Sequence, residues 1–165
     1  MKNTIKRFVV VAGGILALHA AQPAALQAQN AAPGAQAIVA LPDALEWGPA
    51  PAILDAMARM AVIEGNPAEA GEFTLRLRMP PGYRIAPHYH PVTEHVTVLQ
   101  GTFLVGMGEQ FDESAMTALP VGAFGAIPAG MRHYALAQDE VIIQLHGMGP
   151  WRLIYVDPAD RPNGR

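Results

Sequence analysis

From Ala61 to Val156 the chain is written in short apolar or alternating runs, and this rhythm limits the fold more than any other feature. The runs are Ala61–Glu64, Phe73–Met79, Tyr83–His90, His95–Leu99, Thr102–Gly106, Ala123–Ile127, Arg132–Ala137, Val141–His146 and Arg152–Val156. Between them stand Gly-Asn-Pro, Pro-Pro-Gly, Gly-Glu-Gln, Pro-Val-Gly, Pro-Ala-Gly and Gly-Met-Gly-Pro. Runs of this length, punctuated by Gly and Pro, predict an all-β antiparallel sandwich or barrel. Phe73 to Arg78 shows the period: Phe73, Leu75 and Leu77 share one face, and Thr74, Arg76 and Arg78 the other. That is a sheet with one dry side. The two arginines are candidates for a ligand clamp, though a solvated face is the ordinary meaning of such a pattern.

The flanks read differently. Leu41 to Pro51 carries Trp47 among three prolines and predicts an extended arm packed on the domain. Ile53 to Met60 fits a short helix or a turn followed by a strand. Asp112 to Met116 has room for one helical turn. The first 28 residues have the order of an export signal: Lys2, Lys6 and Arg7, then the apolar run Phe8 to Leu18, then small residues ending at Ala28. The run is too short to span a bilayer before His19, Gln22 and Pro23 interrupt it. The expected organisation is therefore a secretory signal over 1–28, a lead-in and arm over 29–52, one β domain over 53–160 and a tail over 161–165. Periplasmic or secreted placement follows, with no membrane attachment after cleavage.

Scarcity narrows the chemistry. The chain has no cysteine, which removes disulfides and thiolate sites, and its lysines are confined to Lys2 and Lys6. Ser114 is the single serine and no Gly-x-Ser-x-Gly elbow surrounds it. Removal of Lys2, Lys6 and Arg7 takes the basic residues from 11 to 8 against 14 acids, so net charge moves from −3 to −6. The remaining arginines form no stripe, which argues against nucleic acid. Histidine and carboxylate chemistry is what remains.

His88-Tyr89-His90 places two imidazoles on one face of a strand. Pro91 breaks that strand, and Glu94 opens the next four residues past His90. His133 follows the turn Pro128-Ala129-Gly130 on a later strand. Three imidazoles and a carboxylate suit Fe, Mn, Zn, Ni or Cu and can leave positions open for water or substrate. His95 has the opposite parity to Glu94 and is expected at a surface or interface. His146 is the candidate general acid or base, on condition that its face of the strand looks inward. Arg84 is a candidate contact for an anionic substrate, or an ordinary surface arginine. Tyr83, Phe103, Phe124, Tyr134 and Trp151 read as core or dimer packing.

Gly82 to Gly101, with His88, His90 and Glu94 in order, resembles the first motif of the cupin superfamily. Gly122 to His133, with Pro128 and Gly130, resembles the second; Ala137 departs from it where the pattern has Asn. The likeness covers roughly 73–147, and the tail Gln144 to Trp151 is similar to small exported single-domain cupins (the type-2 conserved barrel). It implies a jelly-roll barrel with an extended N-terminal arm. It also implies metal ligation by His88, His90, Glu94 and His133, with turn roles for Gly82, Gly101, Gly122, Pro128 and Gly130. A small-molecule ligand or substrate, a single divalent transition metal and a homodimer are the further expectations. Oxygenase, decarboxylase, isomerase or lyase chemistry on a small oxygen-rich molecule is one functional expectation, and a non-catalytic binding or sensing module is the other.

Overall fold

A computed structural model describes residues 36–162. The leader expected over 1–28 and the start of the lead-in lie outside the described residues. Eleven strands are present among the described residues: β1 (Gly48–Pro49), β2 (Arg59–Glu64), β3 (Gly71–Met79), β4 (Arg84–Tyr89), β5 (Glu94–Gln100), β6 (Phe103–Met107), β7 (Thr117–Leu119), β8 (Phe124–Ile127), β9 (His133–Ala137), β10 (Val141–Gly149) and β11 (Ile154–Tyr155). They form a six-stranded sheet in the order β1-β2-β3-β10-β5-β8 and a five-stranded sheet in the order β11-β4-β9-β6-β7. Every pairing is antiparallel. The chain passes repeatedly from one sheet to the other, and the result is the all-β jelly roll that the strand rhythm and the motif likeness imply.

The core lies between the sheets because each strand carries its apolar residues at period two. Phe73, Leu75, Leu77 and Met79 of β3 are buried, and so are Val141, Ile143 and Leu145 of β10 beside them. Val96 and Val98 of β5 continue the same dry face, which the second sheet closes with Ile85, Phe103, Val105, Ala135 and Ala137. Full burial of each large aliphatic side chain contributes about 1.5–3 kcal/mol. Outward on β3, Arg76 Nε donates to Gln144 Oε1 at 3.1 Å, and the Arg78 guanidinium lies 4.4 Å from the Trp47 ring centroid. Neither arginine is a ligand clamp at the barrel interior.

Turn chemistry sets the strand ends. Gly82, Gly101, Gly122 and Gly130 have φ between +73° and +85°, the left-handed region that L side chains avoid. At Gly101 a Cβ would also strike the Asp139 carboxylate and the Glu140 carbonyl. Ala137 sits in the core, and its backbone bonds Gly82 and Tyr83, so the missing Asn leaves the strand ladder intact.

The open choice at Ile53–Met60 resolves as turns followed by a strand. Leu54 N–H donates to the Pro51 carbonyl at 2.8 Å and Ala58 N–H to the Asp55 carbonyl at 3.0 Å, and β2 starts at Arg59. The Asp55 carboxylate accepts from Met57 N–H at 3.0 Å, a local bond that competes with helix. One 3-10 turn over Glu113–Ala115 fills the Asp112–Met116 segment, capped by Asp112. Ser114 spends its hydroxyl on that same Asp112 carboxylate at 2.6 Å. The arm packs on its own chain: β1 pairs with β2, and Arg59 donates to the Trp47 carbonyl at 2.9 Å.

Candidate metal centre

Two turns bring the site together. His88 on β4 lies directly opposite His133 at the start of β9, and their ring centroids are 4.1 Å apart. His90 follows the end of β4, and Glu94 opens β5 after the break at Pro91. The second turn is fastened to the first, because Gly130 N–H donates to the His90 carbonyl at 2.8 Å. One ligand atom from each of the three imidazoles lies within 4.8 Å of the others. His88, His90 and His133 are 2–3% exposed and Glu94 is 8% exposed.

Backbone carbonyls decide which nitrogen of each ring is free. His88 Nδ1 is 2.8 Å from the Ala86 carbonyl, His90 Nδ1 2.7 Å from the Arg152 carbonyl, and His133 Nδ1 3.0 Å from the Met131 carbonyl. A carbonyl only accepts, so each Nδ1 carries its proton and each neutral ring presents a lone pair at Nε2. Burial, with the two neighbouring imidazoles, pushes the His88 pKa well below the ordinary value. Burial also lowers that of His90, outweighing the attraction of Glu94. Neutral rings are the form that binds a metal.

The neutral tautomers leave an unbalanced cluster. Glu94 Oε1 lies 3.4 Å from His90 Nε2, and Oε2 lies 3.4 Å from His133 Nε2. Carboxylate and Nε2 are then both acceptors, with no proton between them. His90 Nε2 is fully enclosed and has no hydrogen-bond partner. Buried acceptors facing one another are costly unless a cation joins them. The residues fit a divalent metal.

The remaining wall is apolar, with Leu54, Ile85, Phe103, Ile127, Ile143 and Leu153 among its lining side chains. Free space at the histidines is about 20 Å³, enough for one water-sized species.

His146 does not join this site. Its strand turns Val141, Ile143 and Leu145 inward, so the opposite parity sends His146 to the outer face. There it stacks on His95 at 5.0 Å and 14°, and His95 stacks on Phe124 at 6.0 Å. The proposed acid–base partner is thereby corrected: no residue of this outer pair lines the metal cavity. His95 lies at the surface, as its parity predicts. Phe124 is exposed rather than core. Arg84 stacks 3.8 Å from the Phe111 centroid in a separate groove with Asp55, Asp157 and Asp160.

Trp151 is the site residue that strand reasoning missed. It lines the cavity and stacks on His90 at 4.8 Å and 22°. It follows β10 beyond a Gly-Pro pair, where period-two parity no longer applies, so no local signal pointed inward.

The polyketide cyclase RemF from Streptomyces resistomycificus superposes with a TM-score of 0.64 at 12% identity, over 77% of this chain and 90% of that one. A proposed acetylacetone dioxygenase from Methylibium petroleiphilum PM1 gives 0.57 at 20% identity, over 78% and 86%. An RmlC-like cupin from Ralstonia eutropha JMP134 gives 0.55 at 20% identity, over 72% and 71%. At these identities the likeness is one of fold. Among curated proteins, none matches the sequence. Residues 35–152 match the family described as the ChrR cupin-like domain, and with its two cupin motifs folded around the three histidines, the chain belongs to that family of the cupin superfamily.

Proposed function

We propose that the protein is an exported metal-dependent enzyme acting on a small molecule, with the metal held by His88, His90, Glu94 and His133. The observation that carries this reading is the commitment of all three Nδ1–H groups to backbone carbonyls, which leaves three Nε2 lone pairs and a carboxylate converging with no donor among them. Such a metal supplies Lewis-acid polarisation of a ligand oxygen, and a redox metal would add oxygen chemistry. The chain's own contribution is orientation and exclusion of water. Backbone carbonyls hold the imidazoles, and the apolar wall removes competing hydrogen-bond partners.

That wall sharpens the substrate class. The free space as it stands holds one water-sized species, so a larger ligand enters only by displacing this wall, and it then needs one or two oxygens for the metal and an apolar frame for the Leu, Ile and Phe side chains, rather than hydroxyls along its whole length. The names of two neighbours in fold, a polyketide cyclase and a proposed acetylacetone dioxygenase, are compatible with oxygenated molecules of that kind. Oxygenase, lyase, decarboxylase and isomerase reactions all fall within it.

The outward position of His146 favours a second reading, in which the barrel binds or senses a small ligand without turning it over. Among the described residues, no separate acid or base stands beside the four proposed ligands on the cavity wall. Periplasmic or secreted placement and a homodimer complete the proposal, supported by the sequence of the first 28 residues and by the habit of the superfamily.

Elemental analysis of the exported protein, purified without a metal-affinity tag, is the first test. One equivalent of a transition metal is expected, with iron favouring oxygen chemistry and zinc or manganese favouring lyase or isomerase work. Protein that stays metal-free, and takes up none of these ions on titration, would end the reading.

A further inference from the structure

Two of the three imidazoles take their orientation locally. The carbonyls that accept from His88 and His133 Nδ1 belong to Ala86 and Met131, each two residues back along the chain. His90 is different: its acceptor is the Arg152 carbonyl, 62 residues away, at 2.7 Å. His90 also stands just past the end of β4, where no strand ladder continues. Gly130 N–H holds its backbone carbonyl, which leaves the side-chain torsions free. The segment after β10 supplies what the ladder does not. Trp151 lies over the His90 ring with centroids 4.8 Å apart and planes at 22°. Trp151 Nε1 is enclosed and makes no hydrogen bond, so what the indole offers His90 is its face. The segment is itself anchored, since Trp151 N–H donates to the Pro67 carbonyl at 2.7 Å and Leu153 is buried in the core.

We infer that Trp151 is a positioning residue for the metal centre, stacking on His90 to fix the plane in which that imidazole presents Nε2. The inference rests on the metal-centre reading and extends it beyond the four ligands. Two adjacent residues divide the task. The Trp151 face sets the plane of the ring, and the Arg152 carbonyl selects the edge that meets Glu94. A half-turn about Cβ–Cγ keeps the plane but sets ring carbons against that carbonyl and against the carboxylate, so one orientation needs both contacts. Neither residue lies in the two motifs that carry the ligands, so His90 depends on a segment that His88 and His133 do without.

The test combines zinc titration against a competing chelator with imidazole ¹⁵N spectra of the metal-free full chain. Trp151→Leu keeps apolar bulk and removes the aromatic face; it should weaken zinc binding about tenfold, the scale of a lost supporting contact. Trp151→Phe restores a ring over His90 and should bind zinc within about threefold of wild type, since stacking is what it returns. In Trp151→Leu the His90 imidazole should lose its single Nδ1–H tautomer, while His88 and His133 keep theirs. A zinc affinity in Trp151→Leu within about threefold of wild type overturns the inference, because a supporting contact is worth more. So does a loss that disturbs all three imidazoles equally, or one that Trp151→Phe fails to restore. The wild-type chain tests it without any substitution: absence of nuclear Overhauser contacts between the His90 and Trp151 rings overturns it too. Failure of the wild-type chain to take up zinc overturns the metal-centre reading, and this inference with it.

Discussion

Five histidines lie in the β domain, and the two sheet faces put them to different use. His88, His90 and His133 are buried with each Nδ1 on a backbone carbonyl and each Nε2 aimed inward. His95 and His146 lie on the outer face of the six-stranded sheet, opposite each other in register and nearly parallel at 14°. Imidazole lone pairs lie in the ring plane, so two parallel stacked rings cannot aim at one ion. The outer pair borders a groove with Glu64, Glu72 and Thr74, yet three-ligand convergence among the described residues occurs inside the barrel and not there. Residue type alone does not make a metal site. One step along β5 separates Glu94, facing the cluster, from His95, facing away.

The largest expected effect tests the inner set. His88→Ala or His133→Ala should lower metal affinity on the order of a hundredfold or more, beyond what loss of a supporting contact costs, and leave purified protein without stoichiometric metal. Full occupancy in both variants by elemental analysis would show that the ligand set is wrong.

Glu94→Gln separates affinity from stability. Its amide can donate to His90 Nε2 or His133 Nε2, where the carboxylate only accepts. The metal-free variant should therefore be more stable than metal-free wild type by about 1 kcal/mol, a few degrees in Tm. Removing the charge should at the same time weaken metal binding about tenfold or more. Calorimetry with and without metal checks both signs, and a less stable apo variant would refute the account of facing acceptors.

Acidification gives an intermediate effect. His88 and His90 have folded-state pKa values below 6.5, so between those values and about 6.5 the unfolded chain binds more protons than the folded one. Metal-free protein should be most stable above that window and lose stability as pH falls through it, by up to about 1.4 kcal/mol per pH unit for each histidine. Denaturant titrations from pH 7.5 to 5 measure the slope, which His88→Ala should reduce. A flat profile would mean that the rings are not held neutral.

The smallest effect belongs to the outer face. His95→Ala and His146→Ala should leave metal content and any turnover unchanged, and shift stability by no more than about 1 kcal/mol through loss of ring stacking. Loss of turnover in His146→Ala with metal retained would return it to the mechanism and dissolve the contrast between the two faces.

The difference between the faces also marks how far the residues could be read in advance. Alternation in Phe73–Arg78 and the short runs around it announced an antiparallel sandwich or barrel, because period-two burial is a local property of a strand, and the cupin likeness narrowed it to a jelly roll. His88 and His90 were placed on one side by the same rule, and the turn glycines by their backbone needs. His146 escaped it: parity says which residues share a face, while the face that meets the core depends on the pairing of β10 with β3 and β5. Trp151 escaped it as well, since a residue beyond a Gly-Pro pair has no strand to set its direction.

The sequence by itself determined the strand rhythm and the two turn motifs, which depend on residues close together in the chain, and the exclusion of thiolate chemistry, which follows from the absence of cysteine. The tertiary structure decided which imidazole nitrogen is free, which histidines meet and which donor is left unpaired. Those outcomes rest on contacts between segments far apart, such as the Arg152 carbonyl on His90, and a backbone carbonyl leaves no mark in the amino-acid code.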